Sequence, residues 1–252
     1  MENGSVNSVI DQGIATITFG HPQSNSLPGE ILRKLAQEIH VIGSNKEVRV
    51  IVLKSLGEKT FCAGASFDEL VAIDTLETGN RFFSGFAQVI NACRTVDQLI
   101  IGRVQGKAVG GGVGIASAVD YCFATKNADV KLSELAVGIG PFVVGPAVER
   151  KIGLSAMSEL AINATAWRSA DWAKAKGLYA EVFETIAAMD EAVDTLANKL
   201  SQSNPEAMKA LKHIFWQGTA HWDELLEERA GISGRLVLSE FTRNAINAFK
   251  SK

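Results

Sequence analysis

The sequence predicts an α/β fold followed by a helical C-terminal region, and three observations carry that prediction. Apolar runs rich in β-branched residues alternate with segments of helical period along the first half of the chain. From Leu99 to Thr125 the order is strand, Gly-rich turn, helix, strand, which is the grammar of a parallel sheet joined by crossovers. Past Gly153 the patterns are mostly helical.

Val9 to Phe19 alternates, with Ile14, Thr16 and Thr18 opposite Ala15, Ile17 and Phe19, and predicts a strand. HPQSNSLPG supplies turn residues, with Ser26 placed to cap a helix and Pro28 suited to its first turn. Ile31, Leu32, Leu35 and Ile39 then recur at helical spacing. Val48 to Lys54 is a run of β-branched residues and predicts a buried strand. The loop GEKTFCAGASFDEL leads to a helix carrying Phe82, Phe86, Val89, Ile90 and Cys93 on one face. Leu99 to Val104 is strand-like and runs into GKAVGGGVGIASAVD, where a helix is expected through Ile115 and Ala118, and YCFAT is another strand. Gly153, Gly177 and Pro205 break the helical remainder. With no repeat period and no low-complexity linker, the expected division is a core over residues 1–195 and a C-terminal helical region over residues 196–252.

At 252 residues, 46% hydrophobic and 21% charged, the chain suits one large domain with a well-buried core. A net charge of −3 argues against a nucleic-acid partner, which would call for a basic excess. No run of 18 apolar residues appears, so no spanning helix and no membrane partner are expected. MENGSVNSVIDQG lacks the basic-then-apolar pattern of a secretory signal, and a cytoplasmic location is expected. Cys62, Cys93 and Cys122 are odd in number, without CxxC pairs, and His21, His40, His213 and His221 show no HxxxH spacing. That pattern fits reduced thiols and no metal site.

The chemistry concentrates in two loops, FCAGAS (Phe61 to Ser66) and GKAVGGGVG (Gly106 to Gly114). Each of Gly110, Gly111 and Gly112 would weaken a helix by about 1 kcal/mol relative to alanine, a cost tolerable where backbone must approach a ligand closely. A helix starting there aims free N–H groups at negative charge near its N-terminus, the physics of an oxyanion hole. Taken alone, the run reads equally as close helix–strand packing. As a dinucleotide fingerprint it is incomplete, because Ser117 stands where the third glycine belongs.

Four motifs in order over nearly the whole chain give the sequence its resemblance to the crotonase (enoyl-CoA hydratase/isomerase) family. HPQSNSL resembles the family's P-x-x-x-N-[AS]-L turn with one residue fewer between Pro22 and Asn25, and FCAGASFDEL its F-[CSA]-A-G-A-D-[LI]-x-E-[LM] loop. GRVQGKAVGGGVGIASAVDYCFAT resembles its V-x-G-x-A-x-G-G-G-x-x-[LI]-A-x-x-x-D segment, and SELAVGIGP its P-E-x-x-[LI]-G-[IL]-x-P segment. The resemblance implies a spiral of ββα units with C-terminal helices that assemble trimers or pairs of trimers, and an acyl-CoA thioester as substrate. Coenzyme A would be part of that substrate, and no separate cofactor is implied. Backbone N–H groups of Ala65 and Gly111 become the expected oxyanion hole and Glu134 the expected catalytic carboxylate. Asn25, Ala63, Gly64, Gly110, Gly114 and Phe142 are the expected substrate-binding positions.

Departures from the pattern bear on the reaction. Hydratases of the family commonly carry a glutamate two residues after the glycine run, where this chain has Gly114, and only Glu134 remains. Ser66 replaces the usual Asp, Ser133 the usual Pro, and Gly140-Pro141-Phe142-Val143-Val144 the usual P-G-x-G-G. Phe142 resembles the one-glutamate Δ3,Δ2-enoyl-CoA isomerases. Hydration needs activated water and a proton for the α-carbon, most readily from two carboxylates. Moving a double bond needs one base, taking a proton at C2 and returning it at C4, and burial suits a carboxylate to this by raising its pKa. The expected function is therefore hydration or double-bond migration, with a non-catalytic acyl-CoA-binding subunit as the alternative that Gly114 motivates.

Of the remaining polar residues, Asp120 is expected to anchor the strand after the glycine helix. Glu69 and Glu149 are expected to be exposed and Trp216 and Trp222 packed; Lys107, Arg150 and Lys151 could meet coenzyme A phosphates, but solvated charge is the expectation for each. Glycine at 114 suggests room for a bulkier acyl group.

Overall fold

The structure, a computed structural model, describes residues 4–250. β1 (Ser5–Asp11) and β2 (Ile14–Gly20) form an antiparallel hairpin, followed by β3 (Ser26–Leu27) and α1 (Gly29–Ser44). Next come β4 (Val50–Ser55), β5 (Thr60–Cys62), β6 (Gly64–Ala65), α2 (Phe67–Val71) and α3 (Leu76–Thr95). β7 (Leu99–Val104), β8 (Lys107–Val109) and α4 (Gly111–Ala118) repeat the pattern. So do β9 (Tyr121–Thr125), β10 (Val130–Lys131), a 3-10 turn (Glu134–Val137) and α5 (Gly145–Ile162). The chain ends with α6 (Ala170–Ala175), β11 (Glu181–Phe183), α7 (Ile186–Ser201), α8 (Pro205–Phe215), α9 (Trp222–Leu236) and α10 (Glu240–Lys250).

Each repeat sends its first, long strand to one sheet and its second, short strand to another. The large sheet has the order β1-β2-β4-β7-β9-β11, and all its pairings except the hairpin are parallel. β5, β8 and β10 make a small parallel sheet, and β3 pairs with β6. This is the expected spiral of ββα units.

β4 shows why its sequence is apolar without alternation. Ile51 and Leu53 point into the main core, while Val50 and Val52 join Ile101, Phe123, Met189 and Val193 beneath α7. Both faces are covered, so both carry apolar side chains.

Local departures from the sequence reading have physical causes. Val9 to Phe19 is not one strand but most of a hairpin, turned by Gln12 (φ 46°) and Gly13 (φ 79°). A two-residue turn with both φ positive matches strand twist, but Gln at its first position hides it, since Asn or Asp is the usual signal. Ser26 does not cap α1. It lies in β3 and donates its hydroxyl to Ala65 O at 2.9 Å, so Pro28 stands just before the helix. Ser66, where the resembled pattern has Asp, caps α2 by accepting Glu69 N–H at 3.3 Å. The helical region begins at Gly145, before the Gly153 break, because α5 continues through a kink there (φ 78°, ψ 158°). Among the described residues no helix is long and apolar enough to cross a membrane.

Candidate active site

Where the helix ends and the short strands meet, they enclose a cavity of about 790 Å3. Ala63, Gly64 and Ala65 form one wall and Gly110 and Gly111 the adjoining one, while Glu134 and Phe142 close it from the third repeat. Phe82, Phe83 and Phe86 of α3 line its apolar side, and Ala245 and Ala248 of α10 reach it from the far end of the sequence.

The glycines are there because neighbours leave no room for a Cβ. A Cβ on Gly112 would fall 2.5 Å from Cys62 O, and one on Gly111 would overlap the Phe86 ring at 2.1 Å. Gly110 adopts φ 52°, and its Cβ would come within 2.9 Å of Glu134 Oε1. Gly64 has φ 93°, and its Cβ would lie 3.8 Å from Gly111 N, which measures how closely the two loops approach. The turn is fixed by Gly110 N–H donating to Lys131 O (2.9 Å) and by Val113 and Gly114 N–H donating to Gly110 O (2.9 and 3.2 Å). Gly111 then opens α4, at the end of the helix where N–H groups have no intrahelical acceptor.

Glu134 starts the 3-10 turn that ends at Gly138 in the left-handed conformation (φ 82°). A Cβ on Gly138 would strike Thr242 Oγ1 at 2.5 Å, and that hydroxyl donates to Gly138 O, so α10 packs directly on the turn. Glu134 keeps some surface toward the cavity, but its Oε2 is enclosed with no hydrogen-bond partner among the described residues. Burial pushes its carboxyl up to about 7, only partly opposed by its own backbone N–H. Among the described residues it is the sole carboxylate on the cavity wall.

Seven of the nine expected positions thus meet at one cavity: Glu134, Ala65, Gly111, Ala63, Gly64, Gly110 and Phe142. The other two do not line it. Asn25, buried and at φ 55°, accepts His21 N–H (2.9 Å) and donates to Leu56 O and Thr60 O (2.8 and 2.9 Å), clamping the loops under a second cavity of about 540 Å3. Gly114 is buried within α4, and a Cβ there would lie 2.5 Å from Val144 Cγ1. Glycine at 114 therefore opens no room for an acyl group, because Val144 fills the space.

Other expectations also change. Glu69 is half-buried rather than exposed and accepts Gly29 N–H at 2.8 Å, at the start of α1. Lys151 is no solvated charge: its ammonium donates to Val119 O and Asp120 O (2.8 and 3.0 Å), and burial lowers its pKa. Asp120 does anchor β9, accepting Ile100 N–H, Lys212 Nζ and Trp216 Nε1 at 2.8, 2.6 and 2.9 Å. Trp216 packs edge-on to Trp222. The Cys62 thiol is pushed up to about 12 by burial and stays protonated. Sequence reasoning missed Ala245 and Ala248, whose only signal is a pair of small residues three apart on a late helix.

Two backbone loops converging on an apolar cavity beside one buried carboxylate give the site; its ancestry comes from comparison. The sequence profile of the family described as enoyl-CoA hydratase/isomerase matches residues 9–249. The chain belongs to that family. It is 29% identical over 242 residues to the short-chain-enoyl-CoA hydratase of Clostridium acetobutylicum, covering 95% of this chain and 92% of the relative. With the human mitochondrial methylglutaconyl-CoA hydratase it shares 33% over 199 residues, 77% of this chain and 58% of the relative. Among solved structures, an enoyl-CoA hydratase from Bacillus halodurans superposes with a TM-score of 0.89 at 20% identity, covering 96% and 99% of the two chains. One from Mycobacterium smegmatis superposes at 0.80 with 26% identity, covering 98% and 96%. The enoyl-CoA hydratase/isomerase fold therefore spans almost all of the chain.

Proposed function

We propose that this protein moves a proton along an enoyl-CoA thioester. Glu134 takes a proton from C2 of a 3-enoyl-CoA and returns it at C4, so the double bond shifts into conjugation with the thioester. The N–H groups of Ala65 and Gly111 hold the enolate oxygen between the two transfers, each donor contributing about 3 kcal/mol where charge develops. The observation that carries this reading is Glu134 itself: the one carboxylate on the cavity wall among the described residues, its pKa pushed up to about 7 by burial. A base poised there gives up and regains a proton with little bias. A second carboxylate that could orient water is missing at 114, and Val144 occupies the space a side chain would need.

Hydration is a second reading, favoured by the names of the Clostridium and human relatives, both hydratases. In it Glu134 would act twice, on the water and on the α-carbon. Assembly as a trimer or a pair of trimers through residues 196–252 belongs to the same proposal. Exposed Leu211, Ile214 and Phe215 on α8 supply apolar surface for it, and light scattering in solution tests it.

Purified protein is given crotonyl-CoA and, in parallel, a 3-enoyl-CoA. Rising conjugated-thioester absorbance from the 3-enoyl compound is the expected result, while falling absorbance from crotonyl-CoA would establish hydration instead. Inertness toward both, together with tight acyl-CoA binding, would overturn the proton-transfer reading in favour of a non-catalytic binding subunit.

A further inference from the structure

On the cavity rim, apart from the proton-transfer groups, two cations share one aromatic ring. Lys107 and Lys131 bring Nζ to 4.7 and 4.5 Å from the ring centroid of Trp167. Parallel pairing of β10 with β8 sets Lys131 beside Val109, two residues beyond Lys107, so all three occupy the same face of the small sheet. Lys131 and Val109 line the cavity, as do Ala164 and Thr165 just before Trp167.

Neither ammonium takes part in an ion pair among the described residues. The contrast with the next residue is direct: Arg168 meets Glu159 at 2.7 Å. Cation–π attraction to the indole holds each lysine, but the two like charges repel each other across it. Lys107 is exposed and Lys131 half-buried, so an anion reaching both would draw charge-assisted hydrogen bonds from the two ammonium groups.

We propose that Lys107, Lys131 and Trp167 form an anion-binding subsite at the rim of the cavity, taking an anionic group of the thioester substrate. This rests on the acyl-CoA reading above. The anion is a carboxylate on the acyl chain or a phosphate of the coenzyme. Lys131 O accepts the Gly110 N–H at 2.9 Å, so the subsite is tied through one hydrogen bond to the turn that presents Gly111. An anion fixed there registers the thioester against the N–H groups and Glu134.

Calorimetric titration with unreactive saturated thioesters tests the subsite without using catalysis. The ligands are glutaryl-CoA, pentanoyl-CoA and the two corresponding pantetheine thioesters, which lack phosphate. The proteins are wild type, Lys131→Met, Lys107→Met, the double variant and Lys131→Arg, each first checked for an unchanged thermal midpoint. Loss of one charge-assisted partner weakens binding by about tenfold in Kd, with more in the double variant and most affinity kept by Lys131→Arg. A loss confined to the two glutaryl ligands assigns the subsite to the acyl carboxylate. A loss shared by both CoA thioesters and absent from both pantetheine thioesters assigns it to a coenzyme phosphate. Equal affinity of wild type and double variant for all four ligands would overturn the subsite alone. A wild-type protein that binds none of them would overturn the acyl-CoA reading and the subsite with it.

Discussion

Two carboxylates are buried near opposite ends of the short helix α4, and they are held in contrasting ways. Asp120, just past the C-terminal end, accepts three hydrogen bonds, from Ile100 N–H, the Lys212 ammonium and the Trp216 indole. Glu134, across the Gly110–Gly111 turn from the N-terminal end, has an enclosed Oε2 with no partner among the described residues. The same residue chemistry therefore does two jobs. A buried charge with its partners supplied is architecture, joining β7, β9 and α8. A largely enclosed acid with one oxygen left unpartnered among the described residues is kept close to neutrality and available to exchange a proton.

The comparison breaks most sharply by mutation at Glu134. Glu134→Gln keeps the shape and removes the exchangeable proton, so turnover of the reactive enoyl-CoA falls by about 10²–10⁴-fold while the fold persists. Steady-state kinetics beside a circular-dichroism melt reads both. Asp120→Ala gives the opposite profile. It strands the buried Lys212 ammonium and costs about 3–5 kcal/mol of stability, measured by urea unfolding, with kcat in the surviving folded fraction unchanged.

A subtler difference lies in pH. The Glu134 carboxyl is raised from an ordinary value of 4.5 to about 7 on folding. Between those values the native protein binds more protons than the unfolded chain, so this group's contribution falls as pH rises and its full penalty stands above 7. The penalty is on the order of 3 kcal/mol at 1.36 kcal/mol per pH unit. Glu134→Gln is therefore expected to unfold at higher urea than wild type at pH 8, with the gap closing toward pH 4. For activity the base must be ionised, so kcat/KM falls on acidifying through about 7. The smallest effect is at Gly114, where alanine overpacks against Val144 and costs about 1–3 kcal/mol. Urea midpoints for Gly114→Ala alone and combined with Val144→Ala separate overpacking from any role in catalysis.

Much of this comparison could be read from residues in order. The β-branched runs marked β4 and β7, and the glycine run marked the start of α4, because local rules of period and backbone freedom govern both. Glu134 was legible through its motif, yet its unpartnered Oε2 was not, since partners come from tertiary packing. Lys212 and Trp216 lie more than ninety residues from Asp120 in sequence, and nothing local announces their pairing. Val144 shows the same limit. A glycine signals missing volume but not which side chain fills it, and so Gly114 read as open space. The hairpin turn at Gln12 and the strand placement of Ser26 were hidden because each residue is unusual for the role it takes.

The most direct test of the proton-transfer account follows deuterium from solvent into the α-carbon. A 3-enoyl-CoA is incubated in D2O with wild type and with Glu134→Gln, and the C2 and C4 positions are read by NMR. The account predicts conversion with wild type, with deuterium at C2 and C4 to the extent that the Glu134 proton exchanges with D2O between the two transfers, and both conversion and label fall by about 10²-fold or more in the variant. Equal exchange by the two folded proteins would contradict it, because some group other than Glu134 would then be moving the proton.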